Sequence, residues 1–413
     1  MIGTGIFTTL GFQVRALPSG FTILLLWLLG GACAFCGALA YGELAAALPR
    51  SGGEYHFLSV VFHPAVGFLA GWVSATVGFA APVALAAMAF GRYFTFVRPG
   101  VDPVTTSLVV VAVVSAVHLR GVGFGSAFQN AATLLKVLLI IALIGAGLAF
   151  GESQSVSFAP AASDWPLITS TPFAVSLVYV MYAYAGWNAS TYVVGEIRDP
   201  ARNVPLSLAL GTLLVTVLYI ALNAIFLHTA PMEELAGKLE VGHVAASHIF
   251  GKAGGRIMAG LICAGLVSSI SAMTWVGPRV TMAMGEDCYP LAWLGRKTRN
   301  GVPAIAILAQ ASVVVTLLLT ASFETVLTYI QFSLTFCSFL TVLGVIVLRF
   351  TQPRLARPYK TWGYPMTPLF FLLVSAWMLW QVAWDRPRES LAGFATMLLG
   401  LALFALSRRA RSS

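Results

Sequence analysis

The chain has 413 residues, 58% of them hydrophobic and only 9% charged. A soluble domain carries roughly 25% charged residues, so a water-soluble globular protein is excluded, and repeated apolar runs of about 20 residues indicate a polytopic membrane protein. The net charge of +9 is dispersed over loops rather than gathered on one face, which sets nucleic acid aside and makes charge a guide to topology.

The apolar runs are continuous, not alternating, so helices are expected rather than a barrel. Twelve elements are predicted: an abnormally short one at 1–17, then 21–48, 65–96, 104–118, 122–150, 172–195, 204–228, 254–279, 303–320, 323–349, 364–384 and 390–407. The polar connectors at 151–171, 229–253, 280–302 and 350–363 are too short to be domains, so one transmembrane domain is expected. Within 229–253, the charged residues Glu233, Glu234, Lys238 and Glu240 suit a short surface helix. Cys33 and Cys36 form a C-x-x-C inside an apolar run with no histidine nearby, and with Cys263, Cys288 and Cys337 they are expected to pack as small apolar residues. No metal or cofactor is expected.

Positive charge gives sidedness. If the first element runs outward, fifteen of the 24 Lys and Arg residues fall on the cytoplasmic side, among them Arg50, Arg198, Arg279, Arg349, Arg354, Arg357, Arg408, Arg409 and Arg411, and eight on the other. Both termini are then cytoplasmic. Lys136 belongs to neither side.

Two elements carry glycine breaks. The first is Gly3-Thr4-Gly5 and the second Tyr182-Ala183-Tyr184-Ala185-Gly186-Trp187-Asn188. Glycine inside a helix costs about 1 kcal/mol relative to alanine, and in a membrane the freed backbone groups need partners. Small residues also serve close packing alone, so either break by itself has two explanations. Gly-interrupted segments at matching places in two halves point to a transporter binding site; here they suggest two five-helix repeats, 1–150 and 172–349, followed by extra helices at 364–407. A half-helix N-terminus exposes N–H groups and a positive dipole end, so the amides of Thr4, Gly5 and Ile6 suit a carboxylate. The carbonyls near Tyr182, Ala183 and Tyr184 suit an ammonium. Together with Gly3, Ala185, Gly186 and Asn188, these residues form a candidate site for an α-amino acid zwitterion.

Several stretches together resemble the amino acid–polyamine–organocation permeases, which share the LeuT-type fold of two inverted five-helix repeats. MIGTGIF at 1–7 resembles the family's first unwound segment. YGELAAALPRSGGEY at 41–55 resembles the end of its second helix and the loop after it. Tyr184 to Asn188, Gly195 to Pro200 and Arg202 to Pro205 are similar to the sixth helix of the L-type amino acid transporter branch. Gly277-Pro278-Arg279 and Asp287 to Pro290 are similar to the end of that branch's eighth helix. Family members carry an inner half-helix before the unwound glycines, so roughly twenty or more residues are expected to precede Met1; the alternative is a natural protein with one open wall.

Lys136 lies midway along its apolar span, about fourteen residues from either end, too deep for its ammonium to reach the interface. Charges at such depth are usually functional, although packing against backbone carbonyls is a second explanation. The resemblance implies that a fifth-helix lysine stands where sodium-coupled members bind a cation, bridging the first and eighth helices. Ser268, Ser269 and Ser271 are the nearby candidates for its oxygen partner. No sodium dependence is expected; proton coupling and plain exchange both stay open.

Glu43 suits either a cytoplasmic gate with an arginine or a solvated carboxylate, and Glu196 and Arg198 carry the same pair of readings. Tyr182 suits either an aromatic gate over the substrate or ordinary packing. Apart from Glu43, no carboxylate is expected inside a helix to hold a cationic side chain, so the substrate expected is a neutral amino acid. A cationic amino acid or polyamine exchanger, and an amino acid sensor without flux, are the alternatives. The six histidines sit in loops or at helix ends, so no enzyme is expected. Animal L-type relatives pair with a single-span glycoprotein through a cysteine between the third and fourth helices. None stands there in this sequence, so no such partner is expected, and the oligomeric state stays open. The Ala-rich, compact chain suggests the inner membrane of a prokaryote.

Overall fold

The computed structural model describes residues 1–121, 126–287 and 289–412 and is built of helices. Non-helical residues 1–4 lead into α1 (Gly5–Thr8) and α2 (Leu10–Ala16). Ser19 caps α3 (Gly20–Ala47), its Oγ accepting from Thr22 N at 3.2 Å. Gly52 and Gly53, with φ of 125° and 52°, turn the chain into α4 (Glu54–Val61); only glycine takes such angles without strain. α5 (Pro64–Val73) runs through a π-helical turn at Ser74–Gly78 into α6 (Ala80–Val97). Asp102 caps α7 (Pro103–Leu119), accepting from Thr105 N at 2.7 Å, and α8 (Ser126–Phe150) follows.

The second half opens with the short α9 (Asp164–Ile168) and then α10 (Thr171–Tyr184), which stops at a break. Ala185 is extended at ψ 149° and Gly186 has φ 87° before the chain resumes as a 3-10 stretch, Ala189–Glu196. Next come α11 (Pro200–Thr229), α12 (Met232–Leu235) and the long α13 (Val241–Asp287), interrupted at Gly251. α14 (Ala304–Thr320), α15 (Phe323–Thr351), α16 (Met366–Asp385) and α17 (Pro387–Ser412) complete the chain.

Among the described residues, eight helices are long and apolar enough to cross a membrane, and α7 and α14 are shorter apolar helices. With the two broken segments, 5–16 and 171–196, they account for the twelve expected elements. Four expectations change. The connector before residue 65 holds α4, and the span 65–96 contains the π turn. The connector 229–253 is mostly helical, because an arm of α13 begins at Val241 and bends at Gly251 (φ 75°). In that connector Glu240 is buried against Arg92 Nε at 2.7 Å rather than lying on a surface helix. Cys288 and the side chains of Asp287, Tyr289, Pro290, Arg408, Arg409 and Arg411 lie outside the described residues; Cys33, Cys36, Cys263 and Cys337 are buried thiols.

Helices in lipid gain nothing hydrophobic by meeting one another, so close packing and internal hydrogen bonds must hold them. The most extensive pairings are α3 with α11 and α6 with α13, each joining a helix of the first half to one of the second. α1 sits between these pairs, touching α10 and α13. Leu134, Leu135, Leu138 and Ile141 of α8 are exposed while Lys136, on the same helix, is only 7% exposed. The outward face of α8 is therefore apolar, as a lipid-facing surface requires.

Candidate functional site

The two breaks meet. A Cβ on Gly5 would overlap the backbone of Ala183, so the first broken segment crosses the second where only glycine leaves room. Beside this crossing lies a cavity of about 500 Å³. Its wall includes residues 1–5 from the first break, and Met181, Tyr182, Ala183, Ala185, Gly186 and Asn188 from the second. Gly3, Thr4, Gly5, Tyr182, Ala183, Ala185, Gly186 and Asn188 are thus brought together. Ile6 and Tyr184 are fully buried outside the wall. The Tyr184 hydroxyl donates to Trp27 O at 3.1 Å and its ring packs on Tyr219 with centroids 5.2 Å apart. Its side chain belongs to the α3–α11 core and lies outside the cavity wall.

The backbone at the breaks is partly occupied by local turns. Thr4 O accepts from Phe7 N at 3.1 Å and from Thr8 Oγ1 at 3.0 Å, and Gly5 O from Thr9 Oγ1 at 2.9 Å. The first amides of a helix have no intrahelical acceptor, so the amides at the start of α1 remain available for an anion. On the other side Tyr182 O closes the last turn of α10 by accepting from Ala185 N at 2.9 Å. The carbonyls of Ala183 and Tyr184 follow at the helix end, where the dipole favours a cation.

Lys136 points inward. Its Nζ donates to Ile2 O at 3.2 Å and to Ser269 Oγ at 3.0 Å. It therefore links the first broken segment to α13, and Ser269 is the eighth-helix oxygen it selects. Ser268 instead donates to Gln129 Oε1 at 3.2 Å, and Ser271 contacts His118 Nε2 at 3.0 Å.

Glu43 is 1% exposed, which removes the solvated reading. Arg349 grips it bidentately, Nε to Oε1 at 2.8 Å and Nη2 to Oε2 at 2.6 Å, and Thr361 adds its amide at 2.8 Å and its hydroxyl at 2.7 Å. Arg357 stands 3.4 Å from the same carboxylate. This knot binds the end of α3 to the end of α15 and to connector 350–363. Glu196 is exposed and 4.0 Å from Arg279, whose guanidinium lies over the Trp275 ring; Arg198 is exposed, its carbonyl accepting from Asn203 Nδ2.

Several wall residues were not expected, Glu54 foremost. Glu54, which the resemblance puts in the loop after the second helix, is 1% exposed and lines the cavity. Tyr41 Oη, Asn188 Nδ2 (3.3 Å) and Ser338 Oγ (3.0 Å) all donate to its Oε1. The expectation that no carboxylate other than Glu43 lies inside is therefore overturned. The only sequence sign was an acidic residue opening a helix after Gly52-Gly53, and that pattern is equally common in solvated helix starts. Gln331, Thr335 and Ser338 of α15 and Ser74 of the π turn also line the wall without having been singled out.

The profile of the amino acid permease family matches residues 1–404. The b(0,+)-type amino acid transporter 1 of Mus musculus is 24% identical over 387 residues, 92% of this chain and 79% of that protein. The cystine/glutamate transporter of Homo sapiens is 26% identical over 424 residues, 98% of this chain and 82% of that protein. The Asc-type amino acid transporter 1 of Homo sapiens is 25% identical over 418 residues, covering 98% and 79%.

Proposed function

The chain belongs to the amino acid permease family, and on that premise we propose that it exchanges or takes up neutral amino acids without sodium. It is a multi-pass membrane protein of a transporter family with the LeuT-type fold, not an enzyme. The observation that carries the finer reading is the crossing of the two broken helices at Gly5 and Ala183 beside the cavity. In this reading the amides of Thr4 and Gly5, which line the wall, take the substrate carboxylate, with Ile6 buried behind them. The carbonyl of Ala183 takes its ammonium, with Gly3, Ala185, Gly186 and Asn188 framing the site, Tyr184 packed behind it and Tyr182 closing over it. The preference for neutral side chains rests on the apolar walls from Met181, Trp187, Val215, Met273 and Leu334.

Sodium independence rests on Lys136, whose ammonium spans from the first broken segment to α13 where a cation would otherwise do so. The first and sixth transmembrane segments tilt against the α3–α11 and α6–α13 pairs, opening one side at a time. The repeats are assigned to 1–150 and 172–349, with 364–407 outside them. The arginine-rich end faces the cytoplasm in a plasma membrane, so Glu43 with Arg349 and Glu196 with Arg279 stand on the inner side as gate elements. Arg198 joins that surface.

The test is uptake of radiolabelled leucine or alanine into proteoliposomes preloaded with unlabelled amino acid, in sodium-free buffer. Saturable uptake, abolished by Gly5→Trp, is expected. Uptake that rises with Na⁺ at fixed ionic strength contradicts the role given to Lys136. Binding without flux makes the chain a sensor.

A further inference from the structure

The wall of the cavity carries two hydrogen-bond acceptors with nothing to accept. Glu54 Oε2 and Gln331 Oε1 are both buried and unpartnered. They are not isolated defects. Gln331, Thr335 and Ser338 recur at i, i+4 and i+7 along α15, so they share one face of that helix, and all three line the cavity. The stripe ends at Glu54, to which Ser338 is hydrogen-bonded. Gln331 Nε2 is committed to Thr335 Oγ1 at 3.0 Å, which leaves its amide oxygen as the free end.

Glu54 is saturated on one oxygen and bare on the other. Its three donors come from three different elements: Tyr41 of α3, Asn188 of the second break and Ser338 of α15. All three converge on Oε1, and together they fix the carboxyl group in place. A buried carboxylate oxygen left without a donor is costly, so the arrangement is complete only when a donor reaches it from the cavity. Asn188 joins this cluster to the proposed zwitterion site, because it lies two residues beyond Gly186 in the same break.

We propose that Glu54, with the Gln331–Thr335–Ser338 stripe leading to it, forms a side-chain subsite that receives the hydrogen-bond-donating end of an amino acid substrate, an ammonium or guanidinium best of all. The proposal rests on the reading of the two breaks as the zwitterion site and departs from the neutral preference that the apolar walls alone would give: it places donor-ended side chains ahead of neutral ones. Charge-assisted hydrogen bonds are roughly twice as strong as neutral ones, and a site built to accept a hydrogen bond discriminates against an analogue that lacks the donor.

The experiment compares substrates that differ only at the side-chain tip: norleucine against lysine, and norvaline against ornithine. Binding to the purified full chain is read as ligand-dependent thermal stabilisation, and uptake is read in proteoliposomes. In the unmodified protein the donor-bearing member of each pair is expected to bind at least about tenfold more tightly, and Glu54→Gln is expected to collapse that ratio towards one. A ratio near or below one in the unmodified protein overturns the subsite, and this measurement decides even if Glu54→Gln cannot be purified. An unaltered ratio in Glu54→Gln also overturns it; if that variant instead loses the pH dependence of norleucine uptake, Glu54 holds a proton rather than a substrate. A preserved ratio without uptake supports the subsite and sinks the transport reading. No binding of any of the four sinks both.

Discussion

The two broken helices are held in place by different means. The first is gripped mainly through its own carbonyls: Tyr219 Oη donates to Met1 O at 3.0 Å, Lys136 Nζ to Ile2 O at 3.2 Å and Tyr93 Oη to Phe7 O at 2.6 Å, with one side-chain tie where Trp27 Nε1 donates to Gln13 Oε1 at 2.8 Å. The second is held mainly through its side chains: Tyr179 Oη donates to Glu324 at 2.8 Å, Tyr184 Oη to Trp27 O at 3.1 Å and Asn188 Nδ2 to Glu54 at 3.3 Å. Carbonyls are present whatever the side chain, so the first break depends on the residues around it. The second depends on its own sequence. A substitution in the first segment should matter through bulk, and one in its surroundings through a lost donor.

Gly5→Val is the largest expected effect. Its Cβ alone collides with Ala183, so transport is expected to vanish while Gly3→Ala, whose Cβ meets only ordinary contacts, is tolerated far better; equal activity of the two variants would break the comparison. Lys136→Met comes next. It removes the donor to both Ile2 O and Ser269 Oγ, and a loss of at least about tenfold in uptake rate is expected, with Ser269→Ala losing less. Tyr93→Phe removes one hydrogen bond to the first break and one that the Tyr93 hydroxyl accepts from Gly242 N at 3.1 Å. It should destabilise by about 1–2 kcal/mol, read as a lower unfolding temperature in detergent. Tyr184→Phe, which removes the hydroxyl's bond to Trp27 O, should cost about 1 kcal/mol. Thr8→Val is the smallest, because the hydroxyl only adds a second bond to a carbonyl already serving its own turn; a change within roughly 0.5 kcal/mol is expected.

What could be read from sequence follows the same division. Both breaks were legible because glycines interrupt apolar runs, and Lys136 because a charge in such a run has few explanations. Glu43 was visible as a carboxylate near a helix end, but its partners Arg349 and Thr361 are 306 and 318 residues away, and no local pattern selects them. Glu54 was not legible at all. Its burial follows from the Gly52-Gly53 turn, which carries α4 back against the second break, where Gly53 N donates to Thr191 O at 3.2 Å. The π turn at Ser74–Gly78 was hidden because it does not interrupt the apolar composition around it, and the joint at Gly251 because it lies in connector 229–253, where no long helix was expected to bend.

The π turn has a consequence for how the sequence can change length. A π turn holds one residue more than the α-helix would, and each residue of an α-helix rotates the chain by about 100°. Deleting one residue within Ser74–Gly78 would therefore restore regular α geometry there and leave Ala80–Val97 facing as it does now, whereas deleting one between Ala80 and Met88 would swing the rest of that helix by that angle. Tyr93 would then face away from Phe7, and Arg92 away from Glu240. The turn works as a phase setting between the two halves of this helix: Ser74 and Gly78 address the cavity while, fifteen residues on, Tyr93 addresses the first break. Single-residue deletions should therefore be rejected between Ala80 and Met88 far more strongly than within the π turn, even though no catalytic or charged group would be lost.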